Sequence, residues 1–103
     1  MRPRSDRASF EILAEERARI VGALDFATVA ALLPIGSDAI VSGKAAVIDL
    51  KGVTHSDSSG LALLIEWLSV ARGANRSLRY ENVASQLHQL ARLSDVDGLL
   101  LTA

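Results

Sequence analysis

The stretch His55-Ser56-Asp57-Ser58-Ser59-Gly60-Leu61 concentrates the residue types in this chain that could do chemistry. An imidazole, a carboxylate and three hydroxyls precede a glycine. Before them runs Ala45-Ala46-Val47-Ile48-Asp49-Leu50, short, apolar and partly β-branched, which reads as a buried strand. After them Leu61 to Arg72 contains neither Gly nor Pro and has helical spacing. A strand feeding a capped helix gathers free backbone N–H groups and the positive end of a helix dipole at one surface point. Such a point can hold a phosphate, an acidic side chain of a partner, or only its own cap.

Catalytic patterns fail elsewhere in the chain. There is no cysteine, hence no thiol nucleophile, thiolate metal site or disulfide framework. His55 and His88 lie far apart and have neither HxxxH nor HExxH spacing. His55, Asp57 and Ser58 are too close in sequence to form a nucleophile–base–orienter relay, and no GxSxG elbow occurs. Ser42-Gly43-Lys44 has the ending of a phosphate loop but not its first glycine, and a strand follows where a helix should. No dinucleotide-binding glycine pattern is present. The chain is therefore read as a non-enzyme with no cofactor and no metal.

Two readings of Asp57-Ser58-Ser59-Gly60 remain. In the first, Asp57 or Ser58 caps the helix, worth about 1 kcal/mol, and Gly60 permits close packing. In the second, Ser58 is exposed at a helix N-terminus and accepts a phosphate, adding about −1.5 to −2 charges. The dipole would favour that charge and Asp57 would oppose it.

The 103 residues suffice for one domain with a modest core, and half of them are apolar. A formal charge of −1 offers no electrostatic footprint for nucleic acid. Arg2, Arg4 and Arg7 make a basic start with no apolar h-region after it, so no signal peptide is read. Apolar runs stay far short of the roughly 20 residues that span a bilayer. These features imply a soluble, cytoplasmic protein without membrane insertion.

The elements that must position the turn follow in order. Residues 1–8 form a polar, flexible lead-in and residues 9–103 one domain. Ser9 to Ala14 and Arg17 to Val21 alternate as a hairpin turning at Glu15-Glu16, with Phe10 and Ile12 on one side and Ala18 and Ile20 facing one way. Asp25 is placed to cap a helix through Val29, Leu32 and Leu33. Pro34, which removes a helical hydrogen bond at a cost of about 3 kcal/mol, should kink that helix or split off a second piece from Ser37 to Ser42, ended by Gly43. The central strand, apolar except at Asp49, should be buried on both faces. Ser77 to Glu81 reads as a further strand and Ser85 as the cap of a last helix. In that helix Leu87, Leu90 and Ala91 share one face, with His88 and Arg92 opposite. Gly98 to Leu101 reads as a short edge strand. The order β-β-α-β-α-β-α, with one further strand, predicts an α/β fold with a mixed sheet of about four to five strands and helices on one side.

The helix after the central turn is apolar over an unusual breadth. Leu61, Leu64, Ile65, Leu68 and Ala71 form the expected stripe, while Leu63, Trp67 and Val70 extend it well round the cylinder. Either neighbouring helices cover Leu63 and Trp67, or they form an exposed strip in which Trp67 anchors a protein partner.

Three motifs in order resemble the STAS domain, the family of bacterial anti-sigma-factor antagonists and sulfate-transporter tails. They are Gly22-Ala23-Leu24-Asp25 with Thr28, Val47-Ile48-Asp49-Leu50, and Asp57-Ser58-Ser59-Gly60-Leu61. The resemblance spans about residues 9 to 101. It implies a mixed sheet with helices on one side, and a partner-docking surface at Asp57, Ser58, Ser59 and Gly60, with Ser58 matching the family's phosphate acceptor. Gly60 to Leu64 with Glu66-Trp67, then Tyr80-Glu81-Asn82 and Leu87 to Leu93, resemble the MlaB branch, the STAS components of Mla phospholipid-transport (lipid asymmetry) systems that maintain the outer membrane. That branch implies a cytoplasmic accessory subunit, peripheral to the inner membrane, which binds and stabilises or activates an MlaF-like ABC-transporter ATPase without binding nucleotide or a small-molecule substrate itself. The alternative is an anti-sigma-factor antagonist switched by phosphorylation at Ser58.

Overall fold

The alternating segments at the start form the expected hairpin. The computed structural model describes residues 7–94 and Gly98. Strand β1 (Ala8–Ile12) pairs antiparallel with β2 (Arg17–Leu24), and the Leu13 N–H donates to the Arg17 carbonyl at 2.7 Å to close the turn. Glu15 and Glu16 there have φ of 63° and 64°. That left-handed pair suits a tight hairpin, although Gly or Asn adopts it at lower cost. After α1 (Val29–Val41), β3 (Val47–Ser56) lies parallel to β2. After α2 (Ser58–Gly73), β4 (Arg79–Glu81) lies parallel to β3, and α3 (Ser85–Leu93) follows.

The strands stand in sequence order in one four-stranded mixed sheet, with the helices on one side. Parallel crossovers of one hand place their helices on the same face. Ala18 and Ile20 of β2 and Ile48 and Leu50 of β3 point into the core beneath those helices. The opposite sheet face is polar. Glu11 pairs with Arg19 at 2.7 Å, Arg17 and Arg79 both reach Glu81, and Asn82 donates to Asp49 at 2.9 Å. The Asn82 amide, and then the Lys51 backbone N–H, hold the Asp49 carboxyl below the usual carboxylate range. The central strand is therefore buried on one face, not two as its composition implied, because no second layer among the described residues covers Asp49 and Lys51.

Several expected boundaries move. Strand β1 starts at Ala8, inside the expected lead-in, and Ile12 is exposed while Phe10 packs inward. Strand β3 runs on to Ser56, and α2 starts at Ser58, three residues before Leu61. Strand β4 is only three residues long. Helix α1 is continuous through Pro34. The one lost hydrogen bond is outweighed there by burial of Leu32, Gly36, Ala39 and Ile40 along its inner face. Ser85 is the first residue of α3 and not its cap, which is Ala84. The strand expected at residues 98–101 lies outside the described residues except at Gly98, which is helical.

Helix α2 is held between α1 and α3, and Trp67 sits at the centre of the packing with no exposed surface. Phe10 meets it edge-on, with ring centroids 5.7 Å apart, and its Nε1–H donates to the Leu33 carbonyl at 3.2 Å. Tyr80 fastens the other flank, its hydroxyl donating to the Leu64 carbonyl at 2.6 Å. A Cβ on Gly36 of α1 would stand 2.2 Å from Cζ2 of Trp67. The enclosed ring has no room to yield, so Gly36→Ala should cost about 1–3 kcal/mol, seen as a lower urea midpoint at unchanged slope. Gly73→Ala, with nothing within 4 Å of the new methyl, should be neutral or mildly stabilising in the same titration.

Candidate functional site

The candidate site lies where β2 and β3 end side by side and α1 and α2 begin. Two turns build it. In the first, Gly22 has φ of +107°, and a Cβ there would stand 2.1 Å from the Arg7 carbonyl, so only glycine passes. Asp25 then folds the chain back, its Oδ1 accepting the Ala27 N–H at 3.0 Å. The buried Thr28 hydroxyl accepts from the Asp25 N–H at 3.0 Å and donates to the Ala23 carbonyl at 2.8 Å. The Gly22–Thr28 motif is thus a self-braced turn. Asp25 caps that turn and not α1, contrary to expectation, because the residue at the helix boundary is Thr28.

In the second turn, the Asp57 N–H donates to the Leu24 carbonyl at 3.2 Å, which ties the end of β3 to the end of β2. Asp57 Oδ1 accepts the N–H groups of Ser59 at 2.8 Å and Gly60 at 3.2 Å, the expected helix cap. Its Oδ2 accepts the Phe26 N–H at 3.3 Å. One carboxylate therefore joins both turns. Gly60 is pressed so close that a Cβ would stand 2.3 Å from the Leu24 carbonyl oxygen.

These constraints decide which residues are available. Asp57 and Gly60 are consumed by structure. Ser58, the first residue of α2, is exposed, and Ser59 is half-buried. Trp67 is wholly buried under α1, so it cannot anchor a partner, and the exposed strip gives way to the alternative of a covered one. Leu63, only 4% exposed, is reached from outside only as part of a shallow groove of about 470 Å³ between α1 and α2. Phe26, Val29, Ala30 and Leu33 line that groove on one side, and Ser59, Ala62, Leu63 and Glu66 on the other.

Phe26 escapes sequence reasoning. It is 81% exposed and sits directly beside the Asp57 turn. Three residues before Val29, it has the spacing of another core position of α1, and only the braced turn aims it outward. His55 lies 3.9 Å from Asp25 and not beside Ser58's cap, while Asp57 is spent on backbone N–H groups, so no relay is assembled. Among the described residues, no cluster of His, Asp and Glu forms that could hold a metal ion, and no helix is long and apolar enough to cross a membrane.

A family model described as "Mlab, STAS domain" matches residues 13–102. The chain belongs to the STAS domain family, in its MlaB branch. This STAS domain also superposes on the anti-sigma factor antagonist SpoIIAA in its unphosphorylated form, with a TM-score of 0.64 at 20% identity over 84% of this chain and 82% of that one. It matches the Bacillus cell fate determinant SpoIIAA in the phosphorylated form with a TM-score of 0.65 at 20% identity, over 86% and 84% of the two chains. At that identity both likenesses speak for the fold. None of the curated proteins compared matches the chain. Family membership makes this STAS domain a non-catalytic, regulatory type of module.

Because Asp57 serves both turns, Asp57→Ala should destabilise by about 1–2 kcal/mol. Asp57→Asn keeps an acceptor for the α2 N-terminus but presents an amide N–H₂ to Phe26, and should cost roughly half as much. Urea unfolding of the three proteins measures both.

Proposed function

We propose that this STAS domain is the accessory subunit of an Mla-type phospholipid-transport complex, binding its MlaF-like ABC ATPase and stabilising or activating it. The observation that carries the reading is the match to the MlaB branch over residues 13–102. The exposed Ser58 and the neighbouring groove supply a surface suited to docking, and the absence of a phosphate loop leaves ATP to the partner. In this reading the domain is cytoplasmic, peripheral to the inner membrane through its partner, and it touches neither lipid nor nucleic acid. Asp57, Ser58, Ser59 and Gly60 form the docking end, with Ser58 in direct contact and Asp57 and Gly60 setting its position.

The phospho-switched antagonist is kept as a second reading because Ser58 is exposed at the start of a helix of 16 residues. A phosphate there would lie in the field of the α2 dipole. Incubation with kinases encoded in the same genome, followed by mass spectrometry, would place phosphate on Ser58; an unmodified Ser58 would remove this reading.

Co-purification with the ABC ATPase and ATP turnover with and without this chain test the first reading. A stable complex with altered turnover is expected, and no complex with unchanged turnover would refute it. Ser58→Trp, which adds bulk at an exposed position without charge, should leave folding intact and weaken the complex by about tenfold or more.

A further inference from the structure

Helix α1 has a composition normally found in buried helices. From Val29 to Val41 its one charged residue is Asp38, yet Leu33, Ile35 and Val41 are 37%, 51% and 49% exposed, and Phe26 just before it is 81% exposed. A helix apolar all round is usually covered, and contiguous exposed apolar surface marks an interaction site. Beside α1 runs the furrow it forms with α2. Its floor is Leu63, its walls include the small residues Ala30 and Ala62, and Phe26 stands among its lining residues. Small residues on both walls let a third helix approach closely, the arrangement by which an amphipathic helix lays its apolar face in a groove.

Charge selects the occupant. Glu66 lines the groove, and Asp25 and Asp57 stand at the turns beside Phe26. Among the described residues no Lys, Arg or His lines it, and the sequence has no Lys or Arg at all between Val21 and Gly43 or between Gly52 and Ala71. A second copy seated here would bring acid onto acid. An anionic bilayer would meet the same repulsion, since membrane-surface helices recruit lipid through Lys and Arg. A protein partner carrying cations beside its apolar anchors meets complementary potential.

We infer that the α1–α2 groove receives an amphipathic helix of a partner protein whose apolar anchors are flanked by Lys or Arg, with Phe26 and Glu66 as its principal contacts. This rests on the reading of that end of the domain as the docking surface and specifies the partner's contacting segment.

The test uses the full ¹⁵N-labelled chain and two synthetic helical peptides with the same Leu/Ile stripe, one flanked by Lys and Arg, the other by Glu. The basic peptide should shift the amides of Phe26, Ala30, Ala62 and Glu66 and bind about tenfold tighter than the acidic one, a margin of about 1.4 kcal/mol. That preference should shrink as salt is raised. Phe26→Ala should weaken binding of the basic peptide by about tenfold, and Glu66→Lys should abolish the preference. Both positions are exposed, so a preserved amide spectrum verifies the fold, and Arg92→Ala on α3 should bind as the parent does. Equal binding of both peptides, no shifts at these amides, or shifts produced there instead by phosphatidylglycerol vesicles or by concentrating the chain alone would each overturn the inference. The peptides require no ATPase. A chain that takes the basic peptide but ignores the ATPase refutes the proposed function and not this groove. A chain that binds the ATPase equally well with Phe26→Ala and Glu66→Lys refutes the groove and not the function.

Discussion

The carboxylate of Asp57 is the contact on which the end of this domain where α1 and α2 begin depends. Its two oxygens reach the N-terminus of α2 and the turn that leads into α1, while its own N–H is anchored to the end of β2. Hydrogen bonds of this kind contribute about 0.5–1.5 kcal/mol each, more when charged, and the larger cost falls on donors left unpaired. The position of Asp57 has consequences for its neighbours. Gly60 must lack a side chain because the bond to Leu24 draws α2 against β2. Ser58, between two residues held from below, is turned to solvent. An exposed hydroxyl at a helix start is here the by-product of a cap in which the acid and not the serine does the capping.

The second constraint is the position of α2 between two other helices. A surface helix over a sheet needs one apolar stripe, but this one packs against α1 on one flank and α3 on the other, and so needs nearly a half-cylinder. Trp67 is the extreme case. It fills the space under α1, with Gly36 as the flat surface on which its ring lies and Leu33's carbonyl as the partner of its indole N–H. Burying that ring satisfies the one polar group it has, which is the usual condition for a tryptophan in a core.

The two faces of the domain therefore differ in kind. The open face of the sheet is a ladder of ion pairs and one hydrogen bond, Glu11 with Arg19, Arg17 and Arg79 with Glu81, and the Asn82 amide with Asp49. Exposed pairs of this sort add little stability, but they keep that face in water. The helical side instead exposes Ile35 and, at a groove without basic residues among those described, Phe26 and Leu33. The surface of this domain whose desolvation is least expensive therefore includes the groove beside the Asp57 turn.

Much of this was legible from local pattern. Alternation at Ser9–Ile12 and Arg17–Val21, the apolar run at Val47–Leu50 and the small hydroxyl residues before Leu61 encode strand, strand and capped helix through side-chain period and capping chemistry, which act over a few residues. Those signals were enough for the element order, the one-sided helices and the STAS resemblance. What they could not decide was which apolar residues face solvent. Leu63, Trp67 and Phe26 are all large, apolar and suitably spaced. Trp67 is enclosed only because α1 crosses it, and Phe26 is exposed only because Asp25, Thr28 and Asp57 together hold its turn outward. Pro34 and Asp49 teach the same lesson, since the continuity of α1 and the openness of the sheet face depend on what packs beside them. By itself the sequence determined the element order and a cap before Leu61, because these rest on neighbours in the chain. The tertiary structure alone decided which of Asp57 and Ser58 does the capping and which apolar side chains stay in water, because burial is set by elements that meet only when the chain has folded.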